Sequence, residues 1–432
     1  MTSISSRTGL AAIQALIKER SPLGPLKVMA RHVGRFFQIP IPGFRPYVVF
    51  GPEAVRKVLV TERNKLLWRN TDPVTSLLDH GVLVTDGEEH DHYRALMEPA
   101  LHPGQLPGYT QIMLRQTDHV TSQWKNGDIV DMLQEGRKIA LLIVMDTLFG
   151  VDAWNDLPRI WTPIIKAIEY ISPGMWIFWR NLPRTGYRKY FKTLDDYLYG
   201  IITEKRRLPA DEQPSRDPRS STPNLLQHLI DAGLEDHIIR DQMLTMLIAG
   251  HDTSTALLAW TFALLGQHPD IHTRLIEELD LTDNRSSLLD QVIKESLRLF
   301  PPIHIGNRRV REDLEFPEGT IPAGERMFYS IYLTQRDPVI WEEADIFHPE
   351  RFAHGPKTPP MSYIPFGGGP RACIGAAFGQ AEARLVIARL LRGFNFEPIN
   401  AHQIHPHMGA TLEPRPSVLM RVTKRPTINY SS

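Results

Sequence analysis

The sequence predicts a mainly helical fold with short strands. Helical patterns cover residues 235–267, 287–300 and 376–394, and each is long enough for several turns. Strand-like apolar runs extend over only a few residues, as at 47–50. The helices are therefore expected to position most of the residues that carry chemistry.

The N-terminal segment is too weakly apolar to cross a membrane. Residues 1–20 contain one apolar stretch, residues 9–17, whereas a spanning helix needs about 20 apolar residues. The segment also lacks an obvious signal-peptide cleavage site. We expect no transmembrane anchor, and peripheral contact of this amphipathic segment with a membrane surface remains an alternative.

The first hundred residues predict short elements. Residues 21–60 mix proline and glycine with apolar runs, and they indicate a strand at 47–50 followed by a helix at 52–61. A later turn leads into a helix that carries His90 and Arg94 one turn apart on the same face. Taken alone, such a pair of side chains usually lies on the protein surface and has no specific function.

The middle of the chain contains one core helix and two irregular segments. Residues 140–149 are apolar and typical of a core helix, whereas residues 170–190 hold an aromatic run with prolines on both sides. Without a functional role, that run would be a core segment under a loop. Residues 207–224 are rich in proline, serine and charge, which predicts a solvated connection.

Residues 235–267 form the longest helical pattern, and 243–265 are apolar nearly all round. This favours a buried central helix over a transmembrane span, because Asp252 near mid-membrane would cost about 2.5 to 3.5 kcal/mol. Ala249, Asp252 and Thr253 share one face of the helix. Gly250, together with a bond from the Thr253 hydroxyl back to a carbonyl, predicts a local opening of the helix.

The only cysteine, Cys373, lies in the stretch Phe366-Gly367-Gly368-Gly369-Pro370-Arg371-Ala372-Cys373-Ile374-Gly375. Unpaired amides at the start of the helix that follows favour an anion, so we expect a thiolate with a depressed pKa. A thiolate is either a metal ligand or a nucleophile, and a nucleophile would need a His base. A lone cysteine taken at random is more often a buried, inert side chain.

The pattern Phe-x-x-Gly-x-Arg-x-Cys-x-Gly in this stretch resembles the haem loop of the cytochrome P450 monooxygenases. The resemblance implies haem b (iron protoporphyrin IX) as cofactor, with the Cys373 thiolate as an axial ligand of the iron. Phe366, Gly367 and Gly375 would then lie against the porphyrin, which glycine allows the backbone to approach. Arg371 would pair with a haem propionate.

The same resemblance assigns further cofactor contacts. The spacing of His90 and Arg94 resembles the family's His-x-x-x-Arg, which binds a propionate. Arg308 would be a third propionate ligand by position, although Arg309 beside it leaves the register open. Ala249 would face the haem from the long helix.

The run Ala-Gly-His-Asp-Thr-Ser at 249–254 resembles the family's oxygen-activation motif. In that motif an acid and an alcohol deliver protons while dioxygen is cleaved. The resemblance therefore implies catalytic roles for Asp252 and Thr253. The alternative without catalysis is that Asp252 only stabilises the structure and that the Thr253 hydroxyl group is hydrogen-bonded to the backbone.

Glu295 and Arg298 are spaced i, i+3, a spacing that in exposed pairs contributes at most about 0.5 kcal/mol. Together with Pro349-Glu350-Arg351-Phe352 downstream, they resemble the family's Glu-x-x-Arg and Pro-Glu-Arg-Phe motifs. The resemblance implies a buried triad of Glu295, Arg298 and Arg351. Its role would be structural, since it would hold the haem loop in place.

Substrate contacts are indicated only by family position. A predicted strand at 303–308 would place Ile303, His304 and Ile305 near the substrate, although His304 is more simply a core histidine. Thr411 lies in a stretch, 408–412, that resembles the family's last substrate-contacting turn. The aromatic run at 170–190 would be a mobile lid over an apolar substrate.

The resemblance implies one haem domain over residues 1–432, mostly α with a smaller β-rich region, that is, the cytochrome P450 fold. Such an enzyme inserts one oxygen atom of O2 into a C–H bond of a hydrophobic small molecule, and the pattern at 330–336 is similar to branches acting on fatty acids and terpenoids. Electrons would come from a separate ferredoxin or flavodoxin with its reductase, docking near Arg389 and Arg392 unless these merely form a solvated charged face.

Two other functions remain as alternatives: a peroxide-using relative that needs no redox partner, and a haem-binding sensor or carrier.

The composition bears on the binding partners and on the cellular compartment. Net charge is zero and the pI is about 7.3, so nothing indicates a nucleic acid partner. One cysteine excludes an intrachain disulfide and fits a reducing compartment. We expect a cytoplasmic monomer.

Overall fold

The computed structural model describes residues 6–19, 21–41, 43–68, 73–172, 184–207, 224–282, 286–355 and 357–426. Helices make up most of these residues. The α-helices are α1 Ser6–Glu19, α2 Leu23–Val33, α3 Pro52–Arg56, α4 Pro73–Leu78, α5 Gly87–Leu101, α6 Leu106–Thr121, α7 Met132–Phe149, α8 Leu157–Ile171, α9 Arg188–Arg207, α10 Leu225–Asp231, α11 Asp236–Gln267, α12 Pro269–Leu281, α13 Ser287–Leu299, α14 Ile331–Thr334 and α15 Ala376–Gly393.

The strands are short and form small sheets. They are β1 Phe36–Gln38, β2 Tyr47–Val49, β3 Leu66–Leu67, β4 Ile129–Asp131, β5 Ile305–Val310, β6 Leu314–Phe316, β7 Gly319–Ile321, β8 Arg326–Ser330, β9 Phe394–Pro398, β10 His405–Met408, β11 Leu412–Arg415 and β12 Leu419–Lys424. One sheet has the order β1-β2-β8-β5-β3 and another the order β4-β12-β9, while β6-β7 and β10-β11 are hairpins. The predicted fold class, mostly α with a smaller β-rich region, is confirmed.

The three long helical patterns are confirmed almost to the residue. The pattern at 235–267 is α11, for which Glu235 is the N-cap residue. The pattern at 287–300 is α13, whose Ser286 side chain accepts a bond from the Leu289 amide. Proline follows this helix at its C-terminal end and cannot continue it.

Helix α11 forms the centre of the core. It packs against α7, α9, α13, α15 and β11. Its residues from Asp241 to Leu265 are buried except Ala249, Gly250 and Thr253, which are half-buried. No helix in the described part of the chain has the length and apolarity needed to cross a membrane. The burial of these residues shows that other parts of the protein cover the apolar surface of α11.

Two short elements differ from the prediction. The predicted helix at 52–61 is α3 followed by one π-helical stretch, Lys57–Thr61. The predicted strand at 303–308 begins two residues later, as β5, and pairs antiparallel with β8. Pro301 and Pro302 explain the delay, because proline has no amide hydrogen for a ladder and restricts the residue before it.

Helix α2 was not predicted, because Gly24 and Pro25 in its first turn suggested irregular structure. Proline is compatible with a first helical turn, since its missing amide hydrogen would have no partner there. Gly24 is required by packing: a Cβ atom at this position would lie 2.7 Å from the Ala15 carbonyl oxygen of α1. The glycine therefore marks a close helix–helix contact.

Two predicted segments lie largely outside the described residues. The aromatic run predicted as a core segment or lid includes residues 173–183, and the predicted solvated connection includes 208–223. The described chain ends α8 at Ile171, and α9 covers Arg188–Arg207. Both interpretations remain predictions.

Candidate active site

The loop before α15 is shaped by its glycines. Gly367 and Gly369 have φ values of +71° and +67°, which side chains disfavour. A Cβ atom on Gly369 would also overlap the carbonyl oxygen of Leu59, in the π-helical stretch after α3. The Cys373 amide donates a 2.8 Å bond to the Phe366 carbonyl, which closes the loop. The glycine run thus fixes the backbone from which the sulfur projects.

The Cys373 thiol is accessible to solvent although protein atoms surround it closely. Both observations hold because the sulfur faces a cleft inside the protein. Desolvation by burial raises the pKa of the thiol, while the Gly375 amide and Arg94 act in the opposite direction. The expectation of a depressed pKa is therefore wrong for the polypeptide alone: burial outweighs the start of α15.

Cationic side chains gather beside this loop. Arg94 of α5 donates a 2.8 Å bond to the Ala372 carbonyl, next to the cysteine. Arg371 bonds the Thr85 carbonyl and, at 2.8 Å, the Asp86 carboxylate. Burial lowers the pKa of Arg371 to about 10.

Arg308 completes this group. It lies on the buried face of β5, 6% exposed, while Arg309 is half-buried on the other face. Its guanidinium stacks between the rings of Trp68 and Tyr329, at 5.1 and 5.3 Å, and its charge acts on Arg371. Strand alternation thus places Arg308, and not Arg309, on the buried face near Arg371, and its role as a propionate ligand stays a prediction.

His90 lies on the same helix face as Arg94, as its spacing predicted. It is buried, and its Nδ1 is 2.8 Å from the Asp91 carboxylate. Burial lowers the pKa of His90, and the charges of Arg371 and Arg94 lower it further. The structure therefore brings the predicted propionate ligands together, with more cationic than anionic groups among them.

This arrangement fits a haem group. A haem presents a flat apolar ring, an iron that accepts a thiolate, and two anionic propionates. The chain supplies an exposed cysteine that protein atoms surround closely, glycines that let its loop adopt positive φ values, and three arginines beside it, where only two carboxylates, Asp86 and Asp91, are present. Bidentate arginines are well suited to carboxylates.

The half-buried positions of α11 mark the wall of a cleft. Ala249, Gly250 and Thr253 interrupt an otherwise buried helix. The Thr253 hydroxyl donates a 2.7 Å bond to the Ala249 carbonyl, as predicted. The predicted opening of the helix is wrong, because α11 runs unbroken from Asp236 to Gln267. The hydroxyl shares the carbonyl without breaking the helix.

Asp252 is buried, with 2% of its surface exposed, whereas Ala249 and Thr253 beside it are half-buried. Its Oδ2 accepts a 2.8 Å bond from the Thr411 hydroxyl, and its Oδ1 has no hydrogen-bond partner among the described residues. Burial, reinforced by Glu413, raises the pKa of Asp252 to about 6. Thr411, predicted as a substrate contact, is buried and instead holds the carboxyl group.

Sequence reasoning missed two residues of this cluster. Arg137 of α7 lies 3.8 Å from Asp252 and donates a hydrogen bond to Glu413 of β11. Both side chains are buried. The only signal was a charged residue at a core position of an apolar helix, and no local pattern connects residues 276 positions apart.

The predicted triad is present, with Glu295 and Arg298 fully buried and Arg351 partly exposed. Arg298 bonds both carboxylate oxygens of Glu295, at 2.7 and 2.8 Å, and Arg351 bonds the same carboxylate at 3.0 Å. Arg298 also donates to the Gln335 and Ala344 carbonyls. The triad thus joins α13 to main chain from two later segments.

The other predicted pocket residues differ in their surroundings. Ile303 is 40% exposed and Ile305 is half-buried, so both can meet a ligand. His304 is buried, its pKa is lowered to about 4 by desolvation, and its Nδ1 lies 3.4 Å from the Pro302 carbonyl. His304 is therefore a neutral core histidine, which is the simpler of the two interpretations that the sequence allowed.

The structure describes the surroundings of two further predictions. Arg389 pairs with Asp118 at 2.7 and 2.8 Å, and Arg392 donates to the Leu279 and Thr282 carbonyls. Docking of a redox partner near them stays a prediction. Residues 330–335 are buried: Ser330 caps α14, and Gln335 bonds the main chain of α13.

A surface cavity of about 420 Å³ lies away from this site. Tyr170, Phe191, Tyr199 and Arg240 are among its lining residues, and no predicted site residue is. Its arginine is paired with the carboxylates of Asp195 and Asp241.

A buried acid on α15 was also missed. Glu382 is 1% exposed, and its Oε2 accepts a 2.6 Å bond from the Ser254 hydroxyl of α11. Its other oxygen has no hydrogen-bond partner among the described residues. Desolvation raises the pKa of Glu382 to about 8, so the carboxyl group is neutral at pH 7. It lies where α11 and α15 pack.

Substitution of this acid should change the pH dependence of stability. The pKa of Glu382 rises from 4.5 in the unfolded chain to about 8 in the folded one, so the folded state loses stability as pH rises through this window. Glu382→Gln keeps the acceptor for Ser254 but cannot ionise. Relative to the wild type, the variant should gain on the order of a few kcal/mol between about pH 5 and pH 9.

Denaturant unfolding at both pH values measures this gain. Any packing penalty of the amide is independent of pH and cancels in the comparison. Glu88→Gln, on the surface of α5, is the control and should show no such gain. Parallel stability curves for wild type and Glu382→Gln would contradict the prediction.

The fold and the cysteine loop together define a thiolate-ligated haem enzyme. A family model described as Cytochrome P450 matches residues 13–423. The chain belongs to the cytochrome P450 family. It is accordingly a monooxygenase with a haem-thiolate iron cofactor, and it uses O2, a substrate and a redox partner.

Individual relatives agree with this assignment. The chain is 28% identical to cyclooctat-9-en-7-ol 5-monooxygenase of Streptomyces melanosporofaciens, over 88% of this chain and 86% of the relative. It is 28% identical to pentalenene oxygenase of Streptomyces avermitilis, over 94% of each chain. The structure of retinoic acid-bound cyanobacterial CYP120A1 has the same fold, with a TM-score of 0.82, 23% identity and coverage of 95% and 96%.

Proposed function

We propose that this protein binds haem b and hydroxylates a hydrophobic, terpenoid-like small molecule at a C–H bond, with electrons from a separate ferredoxin or flavodoxin and its reductase. The observation that carries the proposal is the accessible Cys373 thiol in a cleft next to three arginines. When bound, the haem supplies activation of O2, and the chain supplies orientation and protons.

Each predicted site residue has a role in this proposal. Cys373 would ligate the haem iron through its thiolate. Arg94, Arg308 and Arg371 would hold the propionates, since these three cations lie beside the cysteine loop, and His90 would contact a propionate from the same group of side chains. Phe366, Gly367, Gly375 and Ala249 would line the ring. The triad of Glu295, Arg298 and Arg351 holds the main chain that supports the loop.

Asp252 and Thr253 provide the protons for oxygen activation. Thr253 faces the cleft, and because its hydroxyl donates to Ala249, its lone pairs remain available to accept a hydrogen bond. Asp252 is held behind it by Thr411, and its raised pKa keeps a fraction of it protonated near neutral pH. Rotation of this side chain would bring its proton toward the cleft.

The terpenoid-like substrate is supported by apolar contacts and by the relatives. Ile303 and Ile305 offer hydrocarbon surface beside β5. The names of the two Streptomyces relatives give an unsaturated alcohol, cyclooctat-9-en-7-ol, and a hydrocarbon, pentalenene, as the compounds those enzymes oxidise. A cyclic hydrocarbon is therefore favoured over a fatty acid.

The remaining parts of the proposal concern the setting of the enzyme. We place the chain in the cytoplasm as a monomer with one haem domain over residues 1–432. Leu10, Ile13 and Ile17 of α1 are 59%, 57% and 71% exposed on one helix face, which suits peripheral contact with a membrane surface. Such contact would bring the enzyme close to apolar substrates.

A spectral screen tests this proposal. The reduced, carbon monoxide-bound protein should show the spectrum of a thiolate-ligated haem. Cyclic terpenes and fatty acids of matched size are then added, and the terpenes should shift the haem absorption band and stimulate O2 uptake with a ferredoxin and its reductase. Shifts from fatty acids alone would overturn the substrate class, and full turnover with peroxide but none with reductase would overturn the electron source.

A further inference from the structure

A buried ionic cluster lies directly behind the proposed proton donor. It consists of Asp252 on α11, Arg137 on α7 and Glu413 on β11, which are 2%, 7% and 5% exposed. The residues come from three separate elements that meet on one side of α11. Burying an arginine with two carboxylates is costly unless their charges compensate one another, so this cluster needs an explanation beyond packing.

Arg137 lies much closer to the Glu413 carboxylate than to the Asp252 carboxyl group. Its Nη2 donates a short hydrogen bond to Glu413 Oε1 but lies 3.8 Å from Asp252 Oδ1, too far for a hydrogen bond. Asp252 Oδ1 has no hydrogen-bond partner among the described residues, and neither has Arg137 Nε. Glu413 thus occupies the cation that would otherwise pair with Asp252.

Charge counting gives the consequence. One buried cation, Arg137, faces two buried carboxyl groups, and the half-exposed Arg415 adds a second cation on the Glu413 side only. Glu413 has Arg137 on one oxygen and Arg415 on the other, the latter at 3.1 Å. Asp252 has only the Thr411 hydroxyl. Of the two carboxyl groups, Asp252 is therefore the one that is protonated more readily.

The surrounding charges support this distribution. Burial and Glu413 raise the pKa of Asp252, and Arg137 lowers it. His251, next on α11, is kept neutral because burial and Arg137 lower its pKa to about 3. His407 of β10 lies opposite Glu413 in the hairpin, and its pKa is lowered by burial and by Arg415.

We infer that Arg137 and Glu413 are positioning residues that set how readily Asp252 holds and releases its proton. While Arg137 bonds Glu413, no cation is within hydrogen-bond distance of Asp252, so its carboxyl group takes up a proton more readily than one that is paired with an arginine. When that proton leaves toward the cleft, the new carboxylate attracts Arg137 across the remaining 3.8 Å, and reprotonation from water restores the first state. This inference rests on the proposed role of Asp252.

Opposite shifts in two variants test the inference. Glu413→Gln removes the competitor for Arg137, so the protonation midpoint of Asp252 should fall by about one to three pH units. Arg137→Gln removes the cation from both acids, so the midpoint should rise by a similar amount. A residue with only a structural role would lower stability in both variants without shifting the midpoint in opposite directions.

The midpoint is measured in the full-length holoprotein, by infrared spectroscopy of the protonated carboxyl group as a function of pH. Asp252→Asn identifies the band, which should disappear in that variant. The turnover rate is recorded as a function of pH in parallel. The pH at which turnover changes should shift by the same amount as the infrared midpoint of Asp252. The infrared readout does not depend on activity.

Controls separate electrostatics from damage to the fold. Arg137→Lys keeps the charge and should return the midpoint toward that of the wild type. Arg240→Gln breaks a different partly buried ion pair, with Asp195 and Asp241, and should lower stability without moving the midpoint. If Arg137→Gln does not fold, Glu413→Gln and Arg137→Lys still decide the outcome.

The two levels of the proposal fail differently. Full activity of Asp252→Asn would overturn the proposed role of Asp252 itself. An inactive Asp252→Asn together with midpoints that stay unchanged, or move in the same direction, in the Arg137 and Glu413 variants would leave that role intact. It would overturn the inference about the two positioning residues.

Discussion

Replacing Cys373 by serine should abolish the spectrum of the reduced, carbon monoxide-bound protein that is typical of a haem-thiolate, and turnover with it. A hydroxyl group is a far weaker ligand for iron than a thiolate, and it cannot donate the electron density that favours O–O cleavage. We expect a loss of at least about three orders of magnitude in turnover, which corresponds to about 4 kcal/mol. Absorption spectra and O2 consumption measure both effects.

The fold should survive this substitution. The loop is closed by main-chain bonds, including the one from the residue 373 amide to the Phe366 carbonyl, and these remain in the serine variant. Ala381→Ser places the same hydroxyl group at a half-buried position farther along α15 and should leave the spectrum unchanged. A serine variant at 373 with the original spectrum would remove thiolate ligation from consideration.

Replacing Glu295 by alanine should destabilise the protein by about 3 to 5 kcal/mol. The substitution leaves Arg298, which is 0% exposed, without its carboxylate and deprives Arg351 of the same partner. Removing one partner of a buried ion pair leaves a charge that water cannot reach. Denaturant unfolding gives the free energy of unfolding directly.

An exposed pair of the same spacing is the matched control. Lys166 and Glu169 are also i, i+3 and 2.6 Å apart, but their side chains are 34% and 46% exposed. Glu169→Ala should cost no more than about 0.5 kcal/mol. Equal losses at Glu169 and Glu295 would show that burial does not govern the strength of the triad.

The sequence predicted most of the elements that surround the site. The pattern of α11 spans many turns, and its interruption at 249–254 was visible because polar residues are rare in a buried helix. The cysteine loop was visible because few functions need so many glycines before one sulfur. These are local signals, readable without knowing which segments meet.

What the sequence could not predict depends on contacts between distant segments. The roles of Thr411, Arg137 and Glu413 follow from the meeting of α7, α11 and the β10-β11 hairpin, which no local pattern announces. The pKa of Cys373 was misjudged for a related reason, because a helix start can be read from sequence but the depth of burial cannot. Burial is a property of the whole fold.

The contact between Gly369 and Leu59 has a wider consequence. The sulfur's loop rests without any intervening side chain on a segment from the first sixth of the chain. A single methyl group at residue 369 would separate the cysteine loop from the π-helical stretch Lys57–Thr61 and shift the backbone that carries the Cys373 sulfur. The position of the Cys373 sulfur thus depends on a close backbone contact that residue 369 allows only because glycine has a hydrogen atom in place of a Cβ atom.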